Sequence, residues 1–240
     1  MQNKTNRPAI VNKQSFALIT AALVSALISG CGTRIDAIQD TATYALFGRP
    51  DLTLTAEQID ERRFPLQYVT LGQQPRVALG LAFNDKGLYK WLSQSQEVLV
   101  THHGRIVQTQ GLKNDLAWVD NLAADPLVCL TKGGSHCQLN WRTTAQVGNG
   151  LDMAETTIQS RFEQQGQQTL NLTHTDPMQV IHWRETITTA AGEQWVNHYW
   201  LEKETRRVVK SEQTISPAFP LTVTEEIKPY SGDLNSGGSQ

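Results

Sequence analysis

Three cysteines are the side chains best suited to covalent chemistry in this 240-residue chain. Cys31 directly follows Ile28, Ser29 and Gly30, a branched apolar residue and two small ones. A thiolate is a strong nucleophile that can accept a diacylglycerol, and small residues before it would let a signal peptidase reach the backbone. The spacing therefore predicts cleavage before Cys31 and a lipid on its sulfur.

The residues before Cys31 have the layout of a signal peptide. Three basic residues and no acidic one come first, and the apolar stretch Phe16–Ile28 follows. This stretch is shorter than the roughly 20 residues of a membrane-spanning helix, so residues 1–30 are predicted to be a lipoprotein signal peptide. The alternative is an ordinary signal peptide that has a cysteine behind it by chance.

The residue after Cys31 bears on the choice of membrane. Gly32 stands where an Asp tends to retain lipoproteins of enteric-type bacteria in the inner membrane. We therefore expect the protein at the outer membrane, facing the periplasm. Each buried CH₂ of an acyl chain contributes about 0.8 kcal/mol, so two or three chains on Cys31 would anchor the protein firmly.

Cys129 and Cys137 remain for an oxidising compartment, in which disulfides persist. They flank Gly133-Gly134, which predicts a hairpin turn between two strands that would bring the sulfur atoms face to face. We expect a disulfide there. Two free buried thiols are one alternative, and a metal site that recruits His136 is another, although it lacks the usual ligand spacing and a fourth ligand.

Histidines and carboxylates give no recognisable catalytic motif. The chain has no nucleophile elbow, no paired metalloprotease histidines and no phosphate-binding loop. Three histidines lie on or beside predicted strands and could meet in space: His174, His182 and His198. We expect them to be packing residues and not metal ligands. Three glutamates lie on predicted strands and are expected to face solvent: Glu185, Glu202 and Glu212. A glycosidase-like pair of carboxylates stays open, because it depends on the distance between the two groups in space and not on sequence spacing. We predict no catalytic residue, no metal and no cofactor.

Two tryptophans are candidates for contact with sugar rings. In a strand that includes Trp195, Tyr199 and Trp200, the first two would lie on one face and Trp200 on the other. One face could be core and the other a surface on which Trp195 or Trp200 stacks on a glycan. The alternative is that every tryptophan packs in the core or at a sheet edge.

Charge excludes one class of partner. Residues 31–240 carry 18 Lys and Arg against 23 Asp and Glu, a net charge of −5, without a basic cluster. Nucleic-acid binding usually requires a basic face, so no nucleic-acid partner is expected.

Hydrophobic spacing divides the chain. Apolar residues at spacings of three and four predict a helix over 35–47, and Thr55 with Gln58 predicts a capped second helix within an N-terminal segment 31–64. Alternating patterns then predict an antiparallel β domain over 65–230. The Gly/Ser/Asn-rich tail 231–240 is predicted to be disordered.

The predicted strands make the chain all-β. The clearer ones are 77–83, 96–101, 105–109, 152–162, 169–173, 179–189, 194–202, 207–215 and 221–227, with a turn at Gly166 and helical turns over 115–122. About 11–12 strands, joined by short turns, predict an antiparallel two-sheet sandwich or a flattened barrel with short N-terminal helices.

Several sequence blocks in this order resemble a known family. After the motif that ends at Cys31 come Arg63–Leu79, Glu97–Leu112, Tyr199–Gln213 and Ile227–Tyr230. On these blocks the chain resembles the YjbF/GfcB family of lipoproteins, which are encoded with exopolysaccharide and group 4 capsule export systems.

The resemblance implies an all-β domain and an accessory role in polysaccharide secretion or assembly, beside an outer-membrane β-barrel partner. On this hypothesis the protein binds the barrel protein, the polysaccharide or both. It implies no catalytic residue, so only Cys31 carries over as a functional position. Two other functions stay open on the residues alone: a periplasmic carrier of a lipid or acyl chain, and a glycan-modifying enzyme.

Overall fold

The computed structural model describes residues 50–230 and Gly232. The predicted signal peptide 1–30, the lipid site at Cys31, the helix over 35–47 and the tail apart from Gly232 lie outside the described residues. In the part that is described, no helix has the length and hydropathy needed to cross a membrane.

Strands dominate the described chain. They are β1 (Leu66–Leu71), β2 (Val77–Asp85), β3 (Leu88–Leu92), β4 (Val98–His102), β5 (Arg105–Gln110), β6 (Asp115–Val119), β7 (Asn140–Asn149), β8 (Asp152–Leu170), β9 (Met178–Thr189), β10 (Gln194–Glu202), β11 (Val208–Gln213) and β12 (Thr222–Lys228). The helices of this part are α1 (Ala56–Asp60), a 3₁₀ turn (Leu122–Ala124) and α2 (Pro126–Thr131).

All twelve strands belong to one antiparallel sheet, in the order β5-β4-β3-β2-β1-β12-β11-β10-β9-β8-β7-β6. Its two end strands meet: the Asp115 carboxylate on β6 accepts a hydrogen bond from Thr109 Oγ1 on β5 at 2.9 Å, and Leu116 N donates to the same hydroxyl at 2.8 Å. The sheet is therefore nearly closed and barrel-like. This confirms the all-β prediction, and the single sheet is barrel-like instead of a two-sheet sandwich.

Helix α1 begins as its sequence predicts. Thr55 Oγ1 accepts from Gln58 N at 3.3 Å, and Gln58 Oε1 accepts from Thr55 N at 2.8 Å, which is a complete capping box. Ile59 of this helix packs with Tyr68 and Ile227 in a small apolar cluster. This cluster fixes α1 against strands β1 and β12.

At two places a β-bulge made the predicted elements wrong. Gly166 does not end a strand, because β8 runs through it with a register shift and a φ of +137° that side chains rarely adopt. The segment 115–122 does not form the predicted helical turns: it contains β6, and only its last residue, Leu122, belongs to the 3₁₀ turn. A register shift between Leu116 and Trp118 puts Leu116 and Val119, three residues apart, both into the core, which imitates a helical spacing.

The interior of the barrel is filled with side chains. The largest apolar cluster includes Trp91, Ile106 and Phe219, and a second one includes Leu127 and Phe162. All five are at most 6% exposed. The second cluster lies next to the buried charges described below.

Candidate functional site

The two cysteines of the predicted pair are bonded to each other, with their Sγ atoms 2.07 Å apart. Their surroundings differ from the expected hairpin, because Cys129 lies on helix α2 and Cys137 in the loop after it. Gly133-Gly134 ends the helix instead of joining two strands. A Cβ at Gly134 would lie 2.5 Å from Cys129 Sγ, so the loop passes the sulfur atoms only because a glycine stands there.

A buried charge cluster, which we call the Arg105 cluster, lies in the interior. It consists of Arg105, Asp125, Glu185, Asn197 and Tyr199, and each side chain is at most 2% exposed. Arg105 donates from both Nη atoms to Glu185, at 3.1 and 3.0 Å, and from Nε and Nη2 to Asp125, at 2.5 and 3.1 Å. Glu185 also accepts from Asn197 Nδ2 at 3.1 Å and from the Tyr199 hydroxyl at 3.0 Å.

The electrostatics of this cluster keep every charge paired. Burial alone would lower the pKa of Arg105, but the carboxylates of Asp125 and Glu185 raise it well above its ordinary value. Burial raises the pKa of Tyr199 well above its ordinary value, so its hydroxyl keeps the proton that it donates. The guanidinium also lies 4.3 Å from the centre of the Trp141 ring. With its donors and acceptors used internally, the cluster is a structural element of the interior.

Glu185 was predicted at a solvated face, and that prediction was wrong, since the residue is 0% exposed. The signal that could have found it is strand alternation. Glu185 has the same parity along β9 as Ile187, which is also 0% exposed. The other two strand glutamates are partly exposed and pair with cations: Glu202 with Arg207 at 2.9 Å and Glu212 with Lys210 at 3.1 Å.

Two of the three strand histidines meet, as their spacing allowed. His182 Nε2 lies 2.9 Å from His198 Nδ1 across strands β9 and β10. Burial and the neighbouring His198 both lower the pKa of His182. His174 lies in a turn outside this pair. Among the described residues, no group of three or more metal-ligating side chains has the geometry to hold a metal ion.

The ring of Trp200 is enclosed by its cross-strand neighbours. Trp200 is 8% exposed, His182 stacks parallel to it at 4.8 Å, and Lys210 Nζ lies 4.7 Å from its centre. Trp195 is half-buried and donates from Nε1 to the carbonyl of Thr214 at 2.6 Å. A stacking role of Trp195 and Trp200 stays a prediction, and for Trp200 it requires His182 or Lys210 to move off the ring.

An open groove of about 720 Å³ lies on the outward face of three adjacent strands, β7, β8 and β9. We call it the arginine groove, because the charged side chains among its lining residues are Arg142, Arg161, Arg184 and Glu163. Its outward-facing polar lining includes Asn140, Gln159, Thr186 and Thr188.

Alternation along the strands explains why these arginines point outward. Arg142 is exposed beside Trp141, and Arg161 is exposed beside Phe162, whereas the two aromatic residues are 4% and 1% exposed and belong to the interior. Antiparallel register then gathers positions that are far apart in sequence, since Glu163 on β8 is the cross-strand partner of Arg184 on β9. Sequence reasoning did not single out these arginines.

The charged lining has an excess of two positive charges, from three arginines and one glutamate. The Glu163 carboxylate lies 3.5 Å from Arg161 Nε and 3.9 Å from Arg184 Nη1, with the three side chains between 39% and 70% exposed. Exposed pairs of this kind contribute at most about 1 kcal/mol each. Within residues 50–230, Arg142 forms no ion pair with a carboxylate.

Comparison with known proteins places these features in a family context. Residues 39–225 match a family model described as "Group 4 capsule polysaccharide lipoprotein gfcB, YjbF". Two relatives from Escherichia coli (strain K12) are described as uncharacterized lipoproteins. GfcB is 29% identical over 207 residues, which cover 85% of this chain and 94% of the relative. YjbF is 31% identical over 207 residues, which cover 84% of this chain and 93% of the relative.

The fold has a counterpart among solved structures. The crystal structure of the hypothetical lipoprotein YmcC from Escherichia coli (K12) superposes with a TM-score of 0.67 at 26% sequence identity. The match covers 80% of this chain and 95% of that chain. The similarity therefore includes most of the barrel-like sheet.

Proposed function

The chain belongs to the family of group 4 capsule polysaccharide lipoproteins that includes GfcB and YjbF, and on this premise we propose that it acts as a non-enzymatic accessory in capsule or exopolysaccharide secretion or assembly. Its proposed site of action is the periplasmic face of the outer membrane, where the lipid on Cys31 would hold it. The observation that carries the proposal is the family match over residues 39–225.

The arrangement of the buried carboxylates supports the non-enzymatic part of the proposal. Most glycosidases use two carboxyl groups on either side of the substrate bond, in an accessible cleft. Asp125 and Glu185 are instead 2% and 0% exposed, and both bind the same guanidinium of Arg105. The arginine groove, which is accessible, includes a single carboxylate in its lining, that of Glu163.

The filled interior weighs against a carrier of lipid or acyl chains. Such a carrier needs a continuous apolar cavity of several hundred Å³. The barrel interior contains packed apolar clusters and the Arg105 cluster. The groove on its outside is lined mainly by polar and charged side chains.

Genetic complementation tests the proposal. The gene is deleted in its native strain, and surface polysaccharide is quantified after complementation with the wild type, with Cys31→Ala or with Gly32→Asp. We expect deletion to reduce surface polysaccharide strongly, and Cys31→Ala to restore little because the lipid is lost. Gly32→Asp keeps the lipid site but should retain the protein in the inner membrane, which membrane fractionation checks. Unchanged surface polysaccharide after deletion would refute the accessory role.

The proposed partner is an outer-membrane β-barrel protein of the export system. Crosslinking of a tagged wild-type protein in cells, beside Cys31→Ala, followed by mass spectrometry, tests this part. We expect one such barrel protein with the wild type and less of it without the anchor. Recovery of equal amounts with both variants would separate partner binding from the lipid anchor.

A further inference from the structure

From the arginine groove we infer a binding site for an acidic polysaccharide, with the guanidinium groups of Arg142, Arg161 and Arg184 holding carboxylate groups of the sugar chain. That the ligand is a polysaccharide rests on the proposed function. The inference adds that this polysaccharide is acidic and names the residues that bind it. None of the three side chains is needed to close the interior, because all three face outward from the sheet.

Charge is the first argument for this site. Residues 31–240 carry a net charge of −5, yet the groove gathers three arginines and one glutamate on three neighbouring strands. A local positive field on an acidic protein attracts an anionic ligand and disfavours a cationic one. Glu163 lies within 3.9 Å of two of the arginines and leaves the third, Arg142, free of carboxylate partners among the described residues.

The chemistry of the donors is the second argument. A guanidinium presents a planar fork that binds a carboxylate through two parallel hydrogen bonds, which a lysine cannot do. Hydroxyl and amide groups stand beside the arginines, on Thr186, Thr188 and Gln159. These groups can donate to and accept from the hydroxyls of a sugar ring, so the lining suits a polymer that carries both carboxylates and hydroxyls.

The shape of the groove is the third argument. Its volume of about 720 Å³ lies within the range of small-molecule sites, roughly 300–1,000 Å³, and it is open to solvent along three strands. An open groove lets a long chain enter and leave without threading. Because the ion pairs would be exposed, the affinity should be moderate and should fall as salt rises.

The test is a binding measurement on full-length protein purified in a non-ionic detergent. Fluorescently labelled polygalacturonate serves as the acidic glycan, dextran of similar length as a neutral glycan, and poly-L-glutamate as an acidic polymer without sugar. The groove variant carries Arg142→Gln, Arg161→Gln and Arg184→Gln.

The matched control variant removes three cations elsewhere, through Arg62→Gln, Arg63→Gln and Lys113→Gln. These side chains are exposed and lie outside the groove. Both variants lose the same net charge, so a difference between them reports position and not total charge. Thermal unfolding of both variants checks that they are folded.

We expect polygalacturonate to bind more tightly than dextran and poly-L-glutamate, with an affinity that falls as salt is added. The groove variant should lose about tenfold or more in affinity for polygalacturonate, and the control variant should stay within about twofold of wild type. Equal binding of all three polymers, or equal losses in both variants, would overturn the inference. So would the absence of polygalacturonate binding; that result would leave the capsule phenotype of the deletion strain, and hence the proposed function, untouched.

Discussion

The four arginines of β5, β7, β8 and β9 occupy two opposite environments. Arg105 is 2% exposed and makes four hydrogen bonds to two buried carboxylates. Arg142, Arg161 and Arg184 point outward into a groove whose lining includes a single carboxylate, that of Glu163. A buried arginine with matched partners stabilises the fold, whereas exposed arginines in excess of their partners are available to a ligand. The same residue type thus marks an interior scaffold in one place and a binding surface in the other.

Removal of the interior arginine should have the largest effect on stability. Arg105→Met leaves Asp125 and Glu185 buried without their cation, which should cost about 3–5 kcal/mol of the free energy of unfolding. Chemical denaturation of the purified protein measures this loss. Adding Asp125→Asn and Glu185→Gln should recover part of it, because no unpaired charge then remains and Asn can still cap helix α2. A loss below about 1 kcal/mol for Arg105→Met would mean that the cluster does not hold the interior together.

The disulfide should come next. Replacing Cys129 and Cys137 with alanine opens a short loop, with a sequence separation of 8, and should cost about 2–3 kcal/mol through the larger entropy of the unfolded chain. Denaturation of the variant, beside wild-type protein under reducing conditions, measures the effect. If both behave like the oxidised wild type, the bond does not support helix α2, which carries the Asp125 cap.

His103, in the turn between β4 and β5, should make stability depend on pH, with a smaller effect than the two changes above. Burial, the neighbouring His102 and Lys132 lower the pKa of His103 from 6.5 to about 4. As pH falls from about 6.5 to 4 the unfolded chain gains a proton that the folded protein does not, so the free energy of unfolding decreases, by about 1–2 kcal/mol after allowance for partial exposure. In the folded protein the neutral His103 ring is held at helix α2, with its Nδ1 atom 2.5 Å from Thr131 Oγ1.

The measurement that checks this effect is the free energy of unfolding from pH 7 to pH 4, for wild type and for His103→Asn. Asparagine tolerates the positive φ of 50° at this position. The free energy of unfolding of the wild type minus that of His103→Asn should decrease by about 1–2 kcal/mol between pH 7 and pH 4. Parallel pH profiles would show that His103 titrates alike in the folded and unfolded states.

The groove arginines should have the smallest effect on stability. Each of Arg142→Gln, Arg161→Gln and Arg184→Gln should change the free energy of unfolding by about 0.5 kcal/mol or less, because exposed ion pairs contribute little. Denaturation of the three single variants, beside Arg105→Met, puts the two environments on one scale. A loss above about 2 kcal/mol in any of them would give the groove a structural role and blur the distinction.

Much of the fold was predictable because strand alternation is a local signal. The strand Gln194–Glu202 was predicted with the bounds that the structure shows for β10. Prediction failed at β-bulges. The extra residue near Leu116 changes the apparent spacing of buried residues from that of a strand to that of a helix. At Gly166 the bulge lets a glycine lie within a strand without ending it. The pairing of Cys129 with Cys137 followed from compartment and number, but the helix that carries Cys129 did not.

The site was less predictable, because it depends on register across strands. Arg142, Arg161 and Arg184 lie 19 and 23 residues apart, and each looks like an ordinary surface residue on its own strand. They converge because β7 pairs with β8, and β8 with β9. The register of these two pairings sets Arg142 opposite Gln159 and Glu163 opposite Arg184. Glu185 was the reverse case: its charge suggested solvent, while the alternation of its strand placed it inside.

The most direct test of the functional distinction between these two regions is surface polysaccharide in the deletion strain, complemented with the groove variant or with the charge-matched control variant at equal protein levels. We predict that the control restores surface polysaccharide, and that the variant with Arg142, Arg161 and Arg184 replaced by glutamine, although folded and anchored, does not. Full restoration by the groove variant would contradict this prediction, since the protein would then act without the surface that the structure sets apart from its interior.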